Sequence, residues 1–178
     1  GAGSAISADA RFAAVRLMRD EAGRRSVTLE QKSVLSIIDL AHDLEPATLT
    51  LRGEAVPLAV SNDGQTVVVR RLDSVSVLRM NDDARWQVEV WDVAANKLRS
   101  KLKSADGGVE SLSQSLSPDG QLLAVSGLGK VRLYSTAHGE QQLELPTGDA
   151  LSAASVLFSP DGRLLASYAY TGDPSRPG

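Results

Sequence analysis

The chain contains no cysteine. That excludes a disulfide framework, cysteine-ligated zinc, iron–sulfur ligation and thiol catalysis. It also lacks an excess of one charge: 19 basic residues stand against 22 acidic ones, a formal net of −3. Nucleic-acid binding needs a concentrated basic surface, so no such partner is expected. Only two histidines, His42 and His138, occur. Each falls alone in a turn, without the clustering a metal site requires. No apolar run approaches the roughly 18 residues of a transmembrane helix, and the first residues do not resemble a signal peptide. Serine is abundant, yet no Gly-x-Ser-x-Gly elbow appears, so the usual acyl-transfer signature is missing. Gly127-Leu-Gly-Lys130 lacks the spacing and the following Ser or Thr of a phosphate loop. What is present is 178 residues, 42% of them hydrophobic, a globular composition long enough to bury a real core. The expectation is a cytoplasmic protein without cofactor, metal or membrane contact.

A repeat runs through the chain. Ser7-Ala-Asp-Ala-Arg-Phe-Ala-Ala14, Ser61-Asn-Asp-Gly-Gln-Thr-Val-Val68, Ser117-Pro-Asp-Gly-Gln-Leu-Leu-Ala124 and Ser159-Pro-Asp-Gly-Arg-Leu-Leu-Ala166 align at spacings of 54, 56 and 42 residues. Asp-Gly is a turn dipeptide because glycine reaches positive φ without a Cβ clash. The pairs Asp63-Gly64, Asp119-Gly120 and Asp161-Gly162 are therefore read as structural turns joining two strands each. The first copy has Ala10 where the others have glycine, and its turn is expected to be the loosest or of a different type. One carboxylate per turn does not make a six-to-eight-oxygen calcium cage. After each of the first three turns comes a run alternating with period two, the mark of a half-buried strand: Val34–Leu40, Val88–Val93 and Val131–Thr136. A fourth short strand closes each unit at Ala47–Leu51, Lys97–Leu102 and Gln141–Leu145.

Ser-Pro-Asp-Gly-x-x-Leu-Ala followed by Val-x-Val-Trp-Asp-Val resembles a WD40-type β-propeller, and the looser TolB-like and prolyl-oligopeptidase-type propellers share the same turn. The resemblance implies four-stranded antiparallel blades, strands a to d, with the Asp-Gly turns joining a to b. It covers nearly the whole chain. Only one Trp-Asp dipeptide, Trp91-Asp92, is present, and the Gly-His pair common in WD40 blades is missing.

The fold class expected is all-β: a β-propeller portion with three four-stranded antiparallel blades (about 1–52, 53–104 and 105–147) and the first two strands of a fourth (about 148–178). Residues 172–178 end in turn chemistry, so strands c and d of that blade are lacking, and closed propellers commonly have four to eight blades. The expectation is a segment of a larger propeller, completed by further blades from the rest of the polypeptide or from another chain.

The first two units are longer than the third because strands b and c are joined by insertions, about Arg19 to Lys32 and Asp73 to Trp86. Both read as extended hairpins with polar tips, Asp20–Gly23 and Asn81–Ala84. Insertions in repeats often mark the binding face. Candidate partner contacts are Arg24, Arg25, Asp82, Asp83, Arg85 and Trp86. Two readings of these arms stay open: contact with a protein partner, or a cap over apolar surface at a blade edge. Trp86 and Trp91, five apart, face opposite sides of a regular strand, and Trp91 is expected between blades. The function expected is a non-catalytic scaffold for protein–protein interaction. The alternative is the substrate-gating propeller of a larger hydrolase of the prolyl-oligopeptidase type.

Overall fold

The computed structural model describes residues 3–17, 32–72, 86–103, 113–127, 129–147 and 154–169. These form three antiparallel four-stranded sheets and one two-stranded sheet, each with its strands in chain order. The first holds β1 (Ser4–Ile6), β2 (Phe12–Leu17), β3 (Lys32–Asp39) and β4 (Ala47–Arg52). The second holds β5 (Ala55–Val60), β6 (Thr66–Leu72), β7 (Trp86–Asp92) and β8 (Lys97–Lys101). The third holds β9 (Ser113–Leu116), β10 (Leu122–Gly127), β11 (Lys130–Ser135) and β12 (Gln141–Pro146). The last is β13 (Ala154–Phe158) paired with β14 (Leu165–Ala169). Their first strands pack in succession, β1 on β5, β5 on β9 and β9 on β13. Four sheets therefore stack face to face as blades 1 to 4.

Each a–b turn is wired identically. The serine hydroxyl donates to the aspartate Oδ1 at 2.5–2.6 Å in Ser7–Asp9, Ser61–Asp63, Ser117–Asp119 and Ser159–Asp161. The same Oδ1 accepts the backbone N–H two residues on, from Arg11, Gln65, Gln121 and Arg163. The serine oxygen in turn accepts the N–H of Phe12, Thr66, Leu122 or Leu164. This geometry explains why the repeat needs Ser and Asp two apart: a short hydroxyl and a short carboxylate satisfy donors that a tight turn leaves unpaired. In Asp9 the Ser7 bond, and in Asp161 the Ser159 bond, is the main influence holding the carboxyl below its ordinary range.

The expectation for the first turn is corrected here. Ala10 stands at φ 59°, beside 70°, 69° and 72° at Gly64, Gly120 and Gly162, and its N–H bonds back to the Ser7 carbonyl as the glycines bond to theirs. The turn is neither looser nor of another type. Space supplies the reason. A Cβ on Gly64 would lie 2.6 Å from the Phe12 ring of blade 1, and one on Gly120 would lie 2.9 Å from Thr66 Oγ1 of blade 2. Ala10 is exposed, with no preceding blade among the described residues to press on it. It bears only the backbone penalty of a left-handed residue, roughly 1–2 kcal/mol.

The core lies between blades. Ala14, Leu35, Ile37, Leu49 and Leu51 of blade 1 meet Ala55, Val60, Val67, Val69 and Val93 of blade 2. Ala59, Val68, Val88 and Val90 of blade 2 meet Leu116, Leu123, Val125 and Tyr134 of blade 3. Ala124 and Val131 meet Val156 and Phe158 of blade 4. A blade buried on both faces needs apolar side chains at successive positions, which is why Val67-Val68-Val69 runs unbroken and why its residues split between two seams. Polar stitches complete the seams. The Ser113 and Ser115 hydroxyls accept the N–H groups of Val156 and Phe158. Asn62 ties the turns of all four blades: its Oδ1 accepts from Asp9 N (3.3 Å), its N–H donates to Pro118 O (3.1 Å) and its Nδ2 to Pro160 O (3.5 Å).

Candidate functional site

Antiparallel pairing fixes which end of the blades carries what. Leu17 lies opposite Val34, and Leu72 opposite Trp86. The b–c connections of blades 1 and 2 therefore leave at the end away from the Ser–Asp turns, together with the d–a connections. The c–d turns share the end of the a–b turns. Trp86 opens β7, where the second connection rejoins the sheet. Its side chain, and Arg24, Arg25, Asp82, Asp83 and Arg85 altogether, lie outside the described residues, as do both hairpin tips. What the structure defines is the roots of the two arms.

Both roots are held by ion pairs. In blade 1, Arg16 on β2 reaches Glu54 of the d–a connection, Nη1 to Oε1 at 3.2 Å. In blade 2, Arg71 at the end of β6 donates through Nη2 to Glu89 Oε1 at 2.6 Å. Glu89 is fully buried. It also accepts from Trp91 Nε1 (3.1 Å) and lies 3.4 Å from Lys101 Nζ. Lys101 Nζ in turn donates to Gln87 Oε1 at 3.1 Å. A buried carboxylate is costly unless charge and hydrogen bonds compensate it, and here three strands of one blade supply both. Trp91 packs against the core shared by blades 1 and 2, as its place in the sequence implied. Sequence reasoning missed Glu89 as a node. The available signal was a carboxylate at the centre of Val88-Glu-Val-Trp, on the same strand face as Trp91.

The other end of the blades is built for structure. Asp39 accepts from Arg11 Nη2 (3.1 Å), bonds His42 Nδ1 (3.0 Å) and accepts Ala41 N (3.0 Å). The Arg11 guanidinium, opposed by partial desolvation and aided by His42, holds the Asp39 carboxyl well below the ordinary range. Asp92, of the Trp-Asp pair, is lowered by the Ala95 N–H and then by Arg99. Both aspartates fasten a c–d turn. His42 and His138 sit exposed in such turns in blades 1 and 3. Among the described residues no group of three His, Asp or Glu stands close enough to hold a metal ion.

Successive four-stranded antiparallel blades, packed by their first strands and locked by a recurring a–b turn, define part of a β-propeller. No protein-family description matches the chain by sequence, and no curated protein sequence does. Solved structures do match in fold. A protein described as TolB from Agrobacterium tumefaciens superposes with a TM-score of 0.60 at 16% identity, over 98% of this chain and 56% of that one. Hydrazine synthase of Kuenenia stuttgartiensis superposes with a TM-score of 0.54 at 14% identity, over 96% and 58% respectively. The chain thus spans little more than half the length of each.

Proposed function

We propose that this chain belongs to a non-catalytic propeller scaffold that binds a protein partner through the face bearing the b–c connections of blades 1 and 2. One observation carries the reading: two long connections on adjacent blades leave the sheets at the same end, and each is rooted in an ion pair, Arg16–Glu54 and Arg71–Glu89. A stiff base beneath a binding segment lowers the ordering cost of recognition. Arg24, Arg25, Asp82, Asp83, Arg85 and Trp86 are the proposed contacts, mixed in charge with one aromatic anchor. A cytoplasmic location accords with the cysteine-free composition. The test is deletion of residues 20–23 and 81–84 together. The shortened chain should melt within about 2 °C of the intact one, as expected where a deletion spares the core, and should lose the partners that affinity capture recovers with the intact chain. Recovery of the same partners by both chains would overturn the reading.

A further inference from the structure

The outermost strands of blades 1 to 3 are treated unequally. β4, β8 and β12 each pair with a single neighbour and have a free backbone edge among the described residues. Blades stack by their faces, so these outer edges point away from the seams. Proteins guard such edges with charge, lysine above all, or with proline, because a free edge accepts another strand. β8 is guarded by Lys97, Arg99 and Lys101, a basic row that repels another like it. β12 ends on Pro146, which has no N–H to offer. β4 has neither device. From Ala47 to Leu51 it carries no charge and no proline, and Thr48 and Thr50 are exposed. Charge sits only at its two ends, with opposite sign. Asp43 and Glu45, both exposed, precede the strand. Arg52 closes it, opposite Lys32 of β3, and like charges so placed are destabilising. None of these four groups has an ion pair among the described residues. The charges of the other two edges are engaged: Arg99 by Asp92, Lys101 by Glu89, and Glu144 by Lys130 and Arg132.

We propose that β4 is a homotypic docking edge, pairing antiparallel with β4 of a second copy of this chain about a two-fold axis. The occupant follows from charge. An antiparallel arrangement brings the acidic end of each strand to the basic end of the other, at both ends at once. The carboxylates of Asp43 and Glu45 then approach the Arg52–Lys32 pair of the other copy, and ladder hydrogen bonds form between the two ends. A parallel neighbour would set acid on acid and base on base. A contact of one short strand is small, so the dimer is weak and depends on concentration. The inference does not rest on the proposed function.

Sedimentation velocity over a rising concentration series tests this. The chain should pass from monomer to dimer, more readily at low salt. Arg52→Glu makes both ends of β4 acidic, and Glu45→Arg gives both ends a basic group. Each variant alone should stay monomeric at concentrations where the parent is half dimeric. Mixed in equal amounts, the two variants should associate, because every acidic end then meets a basic one. The chain carrying both changes should dimerise again. Lys97→Glu on β8 should leave association unchanged. The substituted side chains are exposed, so every variant should melt with the parent at low concentration. In the dimer, hydrogen exchange should slow at the β4 amides. A parent that stays monomeric throughout, a dimer indifferent to either single change, or single variants that fail to associate when mixed would overturn the proposal. So would a dimer whose β4 amides exchange as freely as the monomer's.

Discussion

The interior seams and the two open flanks of this arc are built from the same repeat, yet they treat equivalent residues oppositely. The residue before the turn serine is 2% exposed at Val60, 4% at Leu116 and 6% at Phe158, each against the preceding blade, but 62% at Ile6. Two residues before the serine, Ala59 and Ser115 are buried against the following blade, while Leu157 is 63% exposed. The side chains at these flanks are not a solvent-adapted surface. They occupy the seam positions of the repeat with no blade against them among the described residues. Glycine placement repeats the lesson: glycine occupies the turn position wherever another blade presses on it, and alanine takes its place at Ala10, where none does.

Several substitutions can break or sharpen that contrast. Leu49→Ala should cost about 3–4 kcal/mol, as for a buried leucine losing its transfer and packing energy, while Leu145→Ala at the open flank should cost under about 1 kcal/mol; equal losses in denaturant melts would erase the distinction between seam and flank. Gly139→Ala comes next. Its Cβ would meet the backbone carbonyl of Lys101 in the neighbouring blade, and the overlap, added to a left-handed φ of 71°, should cost about 3 kcal/mol. The inverse change, Ala10→Gly at the uncovered turn, should be neutral or stabilising by up to about 1 kcal/mol. Glu89→Ala should cost about 2–3 kcal/mol, because it leaves Arg71 and Trp91 Nε1 without their partner at a seam; a loss under half of that would mean the carboxylate is dispensable to the blade.

The smallest effect concerns pH. The Asp39 carboxyl lies below its unfolded value, so its contribution is present above about pH 3.9 and is lost as the pH falls through the lowered folded value. Asp39→Asn should therefore lower the melting temperature at pH 7, and the gap between variant and parent should close below about pH 4. Ser135, opposite Leu122 as Asp39 is opposite Phe12, supplies the contrast: Ser135→Ala should shift stability equally at both pH values.

Much of the fold was legible because the repeat encodes local chemistry. Ser and Asp two apart, followed by glycine and then apolar residues, fix a turn and two strands without reference to anything distant. The alternation of Val88 to Val93 fixed a third. The seam position of Trp91 could be read the same way. The candidate site was marked in the sequence only at its arms, which depart from the repeat and whose tips lie outside the described residues. Its roots were not. Glu89 reads as a solvent-facing residue of an alternating strand until Arg71, Trp91 and Lys101 are brought around it by two strand pairings. The expectation about Ala10 failed for a related reason: local propensity predicted a weaker turn, and the identical wiring of Ser7 and Asp9 overrode it.

By itself, the sequence determined the strands, their turns and their order, and its lack of cysteine leaves these residues no thiol chemistry. These are matters of neighbouring residues and composition, which a linear string holds in full. Only the tertiary structure decided which face of each strand meets which blade, why glycine gives way to alanine at one turn of four, and that Leu145 and Tyr168 stand uncovered. Those depend on contacts between one blade and the next, where burial is a property of the neighbour's presence and the residue's own identity carries no record of it.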